Sequence, residues 1–385
     1  MSELELSIVI PALNEERTIA HCVGKALNAI AALDAAGEVV VADNGSTDRT
    51  RSVAESLGAR VVPVEGRGYG LALRGGFSAA RGRFLLMGDA DGSYDFEECG
   101  PYLEKLRAGC DLVVGNRFSG TIAPGAMPFL HRYLGTPVLT AVMNLLFGVG
   151  LGDTNCGMRA LRRDAFERLG LKADGMEFAT EMLVKASLVG LKIAEVPCNL
   201  YKDLRDRPPH LRTWRDGWRH LRFMLLFSPM GTFFFPGAFC ATAGGLGLLG
   251  LTARDLAAPD ALAWLTSRHM LTALLFWLIG TGVLGLGVVI QEADYQERYD
   301  ARNRLIAFLH RTFSLEKGLI LGLALVLLGG AVLAYLPASY YGHLLPRGSD
   351  TLRLDAAILA IAAVLTGVQC VFVSFALGLF YHRVK

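Results

Sequence analysis

Phe84-Leu85-Leu86-Met87-Gly88-Asp89-Ala90-Asp91-Gly92 is the stretch on which the reading of this chain turns. A hydrophobic run short enough for a buried strand ends in two carboxylates separated by one small residue. Burying bare carboxylates is costly, so the pair belongs at the strand's end, in a crevice, with a cation as partner. An Asp-x-Asp in that position can hold a hard divalent ion that also grips the phosphates of a nucleotide-linked ligand. The motif alone has low specificity, and its surroundings must decide its meaning.

Working outward along the chain, strand and helix alternate. Leu6–Pro11 reads as a buried strand, followed by an amphipathic stretch to about Leu33 with Asn14 as its N-cap. Glu38–Ala42 is a second strand, closing on Asp43-Asn44-Gly45-Ser46-Thr47-Asp48, which caps a helix running to about Leu57. Arg60–Val64 is a third strand and leads through Gly66-Arg67-Gly68-Tyr69-Gly70 into a helix over Leu71–Ala80. Phe84–Met87, a helix over Glu97–Ala108 and a strand over Asp111–Gly115 complete the series. This order predicts an α/β domain with a mostly parallel, Rossmann-like sheet. In such sheets ligands bind beyond the carboxyl ends of the strands. Asn14 and Glu15, Asp43, Asp89 and Asp91, and Asn116 and Arg117 all fall at those ends. The glycine turn lacks the Gly-x-Gly-x-x-Gly spacing and follows the third strand, so a dinucleotide dehydrogenase carries little weight.

The remainder of the 385-residue chain is different. Overall hydrophobic content is 52%, too high for one ordinary soluble domain. The excess lies in four runs without Asp, Glu, Lys or Arg, spanning about 230–253, 270–290, 318–336 and 356–380. Each is long enough to cross a bilayer as a helix. The net charge is only +2, but its placement is uneven. Lys202–Arg222 carries seven basic residues, Glu292–Lys317 five and the tail Tyr381–Lys385 two, against two in each remaining loop. The positive-inside rule then places the amino-terminal domain, the middle loop and the tail in the cytoplasm, on a multi-pass protein of the cell (inner) membrane. The start shows no basic leader or cleavable signal pattern. The seven cysteines lack Cys-x-x-Cys spacing and argue for neither a disulfide framework nor a zinc site. The expected division is therefore a domain over 1–209, an amphipathic juxtamembrane helix over 210–228 and a transmembrane domain of four helices over 229–385.

Taken in order, Ser7-Ile8-Val9-Ile10-Pro11-Ala12-Leu13-Asn14-Glu15, Asp43–Asp48 and Asp89-Ala90-Asp91 resemble the family 2 glycosyltransferases with a GT-A fold. The likeness covers roughly the first 200 residues. Arg117, Arg132, Asn144 and Asp153-Thr154-Asn155-Cys156-Gly157-Met158-Arg159 are similar, more narrowly, to the polyprenyl-phosphate glycosyltransferases. That group contains dolichol-phosphate mannose synthases and bacterial undecaprenyl-phosphate glucosyl- and related transferases. The resemblance implies inverting transfer of a hexose from a nucleotide-sugar to polyprenyl phosphate, for cell-envelope or glycoprotein glycans. UDP-glucose is the first expectation for the donor and GDP-mannose the second. By position it implies that Pro11, Asn14, Glu15, Asp43 and Asp89 line the nucleotide-sugar pocket. Asp89 and Asp91 would hold Mg²⁺ or Mn²⁺, and Arg117, Arg132 and Arg159 would serve the acceptor phosphate. Some glucosyl-transferring relatives carry an acid near the position of Cys156, where the nearest acid here is Asp153. Thr180-Glu181-Met182 is similar to part of a motif of processive polysaccharide synthases, but their Gln-x-x-Arg-Trp motif is missing, so processive synthesis is rejected.

The chemistry makes a base dispensable. A phosphate monoester has its second pKa at about 6 and is largely a dianion at cytoplasmic pH. The protein's task is to neutralise repulsion between two anionic substrates, which suits a metal and forked guanidinium groups. Glu181 could be a catalytic base, or could pair with an arginine or orient the sugar. Arg159 could equally hold the crevice wall by a salt bridge.

Two stretches face the membrane in this reading. Phe129–Phe147, broken by Arg132 and Pro137, is too short to span and is read as an interfacial helix, the alternative being a buried core helix. In His210–Phe227, Leu211, Trp214, Trp218, Leu221 and Leu225 form an apolar stripe beside Arg212, Arg215, Arg219 and Arg222. This describes a helix on an anionic leaflet, the alternative being a basic helix packed on its own domain. Arginines at the foot of a span need no nucleic acid as partner. Glycines in the spans (Gly244, Gly245, Gly247, Gly250; Gly280, Gly282, Gly285, Gly287) would let helices approach closely, within the chain or in a homo-oligomer. The alternative classes are a lipid-linked-sugar translocator and a non-catalytic scaffold with a sensor domain. The uncharged runs count against the first and the intact Asp89, Asp91 and Arg117 against the second.

Overall fold

The computed structural model of the chain describes residues 4–205, 213–257, 267–298, 315–341 and 350–382. Contacts divide it into two units, Met1–Phe227 and Ser228–Lys385.

The first unit is built on one seven-stranded sheet in the order β3-β2-β1-β4-β6-β5-β7. The strands are β1 (Leu6–Ala12), β2 (Gly37–Asp43), β3 (Arg60–Pro63), β4 (Phe84–Met87), β5 (Leu112–Asn116), β6 (Arg159–Arg162) and β7 (Ile193–Pro197). All neighbours are parallel except β6, which runs antiparallel to both β4 and β5. This is the mostly parallel GT-A arrangement. β1, β4 and β5 are buried on both faces, which explains their unbroken apolar runs. β6 and β7 were not expected from the sequence. Arginine at both ends of Arg159-Ala160-Leu161-Arg162 hides the strand, and Ile193-Ala194-Glu195-Val196-Pro197 is a half-exposed edge with no apolar run.

Helices α1 (Ile19–Ala32), α2 (Thr50–Ser56), α3 (Tyr69–Ala79), α4 (Gly100–Arg107), α5 (Thr136–Phe147), α6 (Arg163–Leu169), α7 (Phe178–Leu188) and α8 (Thr213–Leu226) complete this unit. Asn14 does not cap α1. It sits at φ +57 in the turn before the helix, and its Oδ1 accepts from the Thr47 amide at 2.8 Å. Asn tolerates that left-handed backbone better than most residues, which is why the turn can close there. Asn144 also has a local task, exchanging hydrogen bonds with the main chain of Leu151 at 2.8 and 3.1 Å.

α8 packs one face on its own domain and leaves the other open. Its Met224 is buried in the core of the unit, and His220 Nδ1 lies 2.5 Å from Thr180 Oγ1 of α7. Trp214 and Trp218 point outward, 79% and 58% exposed. One face therefore packs on the domain while the tryptophans stay free for an interface. His210, Leu211 and Arg212 of the expected helix lie outside the described residues.

In the second unit, the helical turn Met230–Phe234 and helices over Phe235–Ala257, Ser267–Arg298, Leu315–Tyr341 and Asp350–His382 contain four segments long and apolar enough to cross a membrane. These segments are Met230–Ala253, Arg268–Glu292, Leu315–Pro337 and Arg353–Leu379. The chain is a membrane protein. Its spans pack closely where glycine faces a neighbour. A Cβ on Gly244 would lie 2.2 Å from the Trp277 amide nitrogen, and one on Gly280 2.1 Å from that of Ala241. The third and fourth helices meet likewise at Gly322 and Gly367. Gly250, by contrast, faces open space within 4 Å. Gln369 joins the fourth helix to the second, accepting from Thr281 Oγ1 at 2.8 Å and donating to the Leu278 carbonyl at 3.3 Å. The basic loop between the second and third helices falls mostly on residues 299–314, outside the described residues, as does the tail from residue 383.

Candidate active site

The parallel register brings the predicted polar groups to one edge of the sheet. β1 and β2 run together to the pair Ala12↔Asp43, and β4 ends opposite Val9 at Met87. Beyond Val9, β1 has lost β4 as a partner, so Pro11 lies where an absent amide is tolerated. Asn14, Glu15, Asp43, Asp89 and Asp91 thus leave neighbouring strands on the same side. β6 runs the opposite way, so its first residue, Arg159, lies at that same edge, paired across to Met87.

Asp91 is buried at the crevice and Asp89 half-buried beside it. Asp89 Oδ1 accepts from the Tyr69 hydroxyl at 3.0 Å, and Asp91 Oδ1 accepts from the Ser93 amide at 2.9 Å. Burial, and next the charge of Asp91, push the Asp89 carboxyl up to about 7. A cation bound between the two carboxylates would relieve their mutual repulsion. Oxygen-only donors at a strand's end, open to phosphate oxygens, fit Mg²⁺ or Mn²⁺. Gly157 is part of the same wall, since a Cβ there would lie 2.8 Å from Asp89 Oδ2.

Arg205 was not anticipated, and it pairs directly with two carboxylates of this site. Its Nε and Nη2 grip Glu15 at 3.0 and 2.9 Å, and its Nη1 reaches Asp91 Oδ2 at 3.2 Å. It lies more than a hundred residues from both carboxylates, so no local pattern in the sequence points to it. Arg51 is a second unanticipated partner. Asp43 is fully buried and takes Nε of Arg51 at 2.6 Å together with the Gly45 and Ser46 amides. Asp43 thereby shapes the loop after β2. The glycine turn does a comparable job. Gly68 has φ +158 and packs so tightly that a Cβ would lie 2.1 Å from the Asp174 carbonyl, while its amide donates to Asn44.

The arginines expected at the acceptor side separate into three cases. Arg117 is held by Asp153 in a fork, Nε to Oδ2 at 2.6 Å and Nη2 to Oδ1 at 2.9 Å. Burial opposes its charge, but Tyr94 and the Asp153 carboxylate outweigh that, and its pKa rises. Nη1 carries no hydrogen bond among the described residues, so the fork leaves a donor to spare. Arg132 is exposed and stacks over the Tyr133 ring at 5.6 Å. Phe129, Tyr133, Leu134, Val138 and Leu145 of this stretch are 48–78% exposed, while Thr140 and Met143 of α5 are buried, so one face packs on the core and the other is open.

Arg159 and Glu181 require correction. Arg159 is fully buried, with Nε, Nη1 and Nη2 on the carbonyls of Cys156, Ala179 and Thr154 at 2.9, 2.5 and 2.8 Å. A guanidinium consumed by three main-chain oxygens is a clamp on the crevice wall, and neither an acceptor-phosphate ligand nor a salt bridge. Burial pulls its pKa down. Glu181 accepts from the amides of Lys172 and Ala173, at 3.0 and 2.7 Å, and pairs with Lys185 at 2.7 Å. Its oxygens hold the turn between α6 and α7, which leaves no lone pair directed at a substrate proton. A catalytic base at Glu181 is therefore withdrawn.

Residues 7–170 match the family described as Glycosyl transferase family 2, and residues 289–381 match Glycosyltransferase family 2 C-terminal transmembrane region. Low-salt glycan biosynthesis hexosyltransferase Agl6 of Haloferax volcanii is 37% identical over 383 residues, 97% of this chain and 88% of that protein. Dolichyl-phosphate hexose transferase of the same organism is 33% identical over 194 residues, 50% of this chain and 81% of that protein. Among solved structures, glucosyl-3-phosphoglycerate synthase from Mycobacterium tuberculosis with Mn²⁺, uridine diphosphate and phosphoglyceric acid aligns with a TM-score of 0.42 at 27% identity. That alignment covers 53% of this chain and 72% of the other.

Proposed function

The chain belongs to glycosyltransferase family 2, and from that premise we propose that it moves a hexose from a nucleotide-sugar to polyprenyl phosphate at the cytoplasmic face of the cell membrane. The observation that carries this reading is the Asp89–Asp91 pair after β4, at one sheet edge with the buried Asp43 and Glu15, on a chain with four membrane-length helices. The name of the relative matched along nearly its whole length, a hexosyltransferase, supports the sugar class. The dolichyl-phosphate hexose transferase supports the lipid acceptor. UDP-glucose is the preferred donor and GDP-mannose the next.

Asp89 and Asp91 would hold Mg²⁺ or Mn²⁺, which supplies charge to offset the donor diphosphate and its leaving group. The chain's own residues perform the rest. Arg117, fixed by Asp153, offers Nη1 to the acceptor phosphate, and Arg132 presents its guanidinium among the exposed apolar residues of 129–145, where a lipid phosphate would arrive. An acceptor oxygen forms a bond to the anomeric carbon as the bond to the diphosphate breaks, and the nucleoside diphosphate leaves with the electron pair. Attack from the opposite face inverts the configuration. The dianionic acceptor needs no proton removed, consistent with Glu181 being committed elsewhere.

Purified protein with Mn²⁺, UDP-glucose and undecaprenyl phosphate should form a chloroform-soluble sugar-lipid. Asp91→Ala should lower that rate at least about a hundredfold, the scale of losing a principal electrostatic contact to the transition state. Full activity in the variant would refute the metal assignment, and water-soluble product alone would refute the lipid acceptor.

A further inference from the structure

After β7, residues 198–205 are stitched onto the loop that follows β4. The Tyr201 amide donates to the Ser93 carbonyl at 2.9 Å, and the Leu204 amide to the Asp91 carbonyl at 3.0 Å. Leu204 lies directly on Gly92, which has φ +75, and a Cβ there would come within 2.7 Å of Leu204 Cδ1. The Tyr201 hydroxyl is anchored to Glu98 at 2.6 Å. These contacts fix the segment on the loop that carries Asp91, and they deliver Arg205 to it.

The Arg205 guanidinium then spans two elements. Nε and Nη2 take both oxygens of Glu15, after β1, and Nη1 takes Asp91 Oδ2, after β4. Its side chain is only 14% exposed, and Asp203 adds a further carboxylate at 3.5 Å. A cation already sits on the carboxylate that a divalent ion would use. Two cations on one buried carboxylate repel, so each weakens the other's hold on Asp91.

We propose that Arg205 is a tethered counter-ion for Asp91 in the donor-free protein, a positioning residue that must release this carboxylate before a metal takes it. This rests on the assignment of Asp91 as a metal ligand. It makes metal binding weak by itself and couples it to the arrival of a nucleotide diphosphate. The incoming anion offers the displaced guanidinium a new partner, so the exchange costs little only when both arrive. Glu15 and Asp91, otherwise two buried acids facing one crevice, are held aligned meanwhile.

The test is Mn²⁺ binding to the full-length protein in detergent, followed by electron paramagnetic resonance of the free ion, with and without UDP. Arg205→Gln removes the cation and keeps much of the side chain's length, and Arg205→Lys keeps the cation. In the absence of UDP, Arg205→Gln should bind Mn²⁺ about ten- to a hundredfold more tightly than wild type, the range spanned by one charge-assisted hydrogen bond. Arg205→Lys should stay near wild type, and UDP should tighten Mn²⁺ binding far less in Arg205→Gln than in wild type. Equal or weaker Mn²⁺ binding by Arg205→Gln, with UDP still bound, would overturn the counter-ion role. Failure of every protein to bind Mn²⁺ even with UDP would instead overturn the metal reading on which it rests.

Discussion

Replacing Asp153 by Asn tests how the acceptor-side arginine is held. The Asp153 side chain is fully buried and that of Arg117 is 12% exposed. Asp153 receives Nε and Nη2 of Arg117 as well as the Arg117 and Asn155 amides. The neutral amide keeps the shape but leaves a guanidinium in a dry site without its charge partner. Breaking a buried pair on one side costs about 3–5 kcal/mol. Asn retains one acceptor oxygen, so about 3 kcal/mol is the expectation, near the lower end. For a folded unit of about two hundred residues that corresponds to a fall of roughly 6–12 °C in melting temperature. Thermal unfolding of the detergent-solubilised protein, followed by circular dichroism or intrinsic fluorescence, reads this directly. The acceptor-lipid KM should rise in parallel, because Nη1 is aimed only while the other two nitrogens are fixed. A fall under about 2 °C would refute the reasoning, since Arg117 would then have found equivalent compensation elsewhere.

Two further outcomes follow from the packing. Burial raises the Glu38 carboxyl, but hydrogen bonds from Arg60, the Arg81 amide and Ser7 outweigh it, so its folded pKa lies below the ordinary 4.5. That stabilisation is fully present above the unfolded value and is lost as pH falls through the folded one. The melting-temperature gap between wild type and Glu38→Gln should therefore be widest near pH 7 and close toward pH 3; a gap independent of pH would contradict the assignment. In the membrane unit, Gly244→Val should destabilise by about 1–3 kcal/mol, because its Cβ would meet the Trp277 backbone at 2.2 Å, whereas Gly250→Ala should be tolerated. Fluorescence size-exclusion thermostability of both variants checks this, and equal losses would exclude glycine-mediated contact as the cause.

What the sequence determined by itself was whatever is written in local periodicity and composition. Buried parallel strands are continuous apolar runs, so β1, β2, β4 and β5 are legible, and four uncharged runs announce membrane-length helices. Because the parallel strands end in polar clusters, the gathering of Asp43, Asp89 and Asp91 at one edge followed from topology alone. The tertiary structure decided the partners. Arg205 joins Glu15 and Asp91 across more than a hundred residues, Asp153 takes the fork of Arg117, and Arg159 and Glu181 turn out to clamp main chain. An arginine's letter is the same whether it meets a substrate phosphate or three backbone carbonyls. Only the fold fixes which oxygen lies within 3 Å, and in a buried site that distance decides between a ligand-binding charge and a structural one.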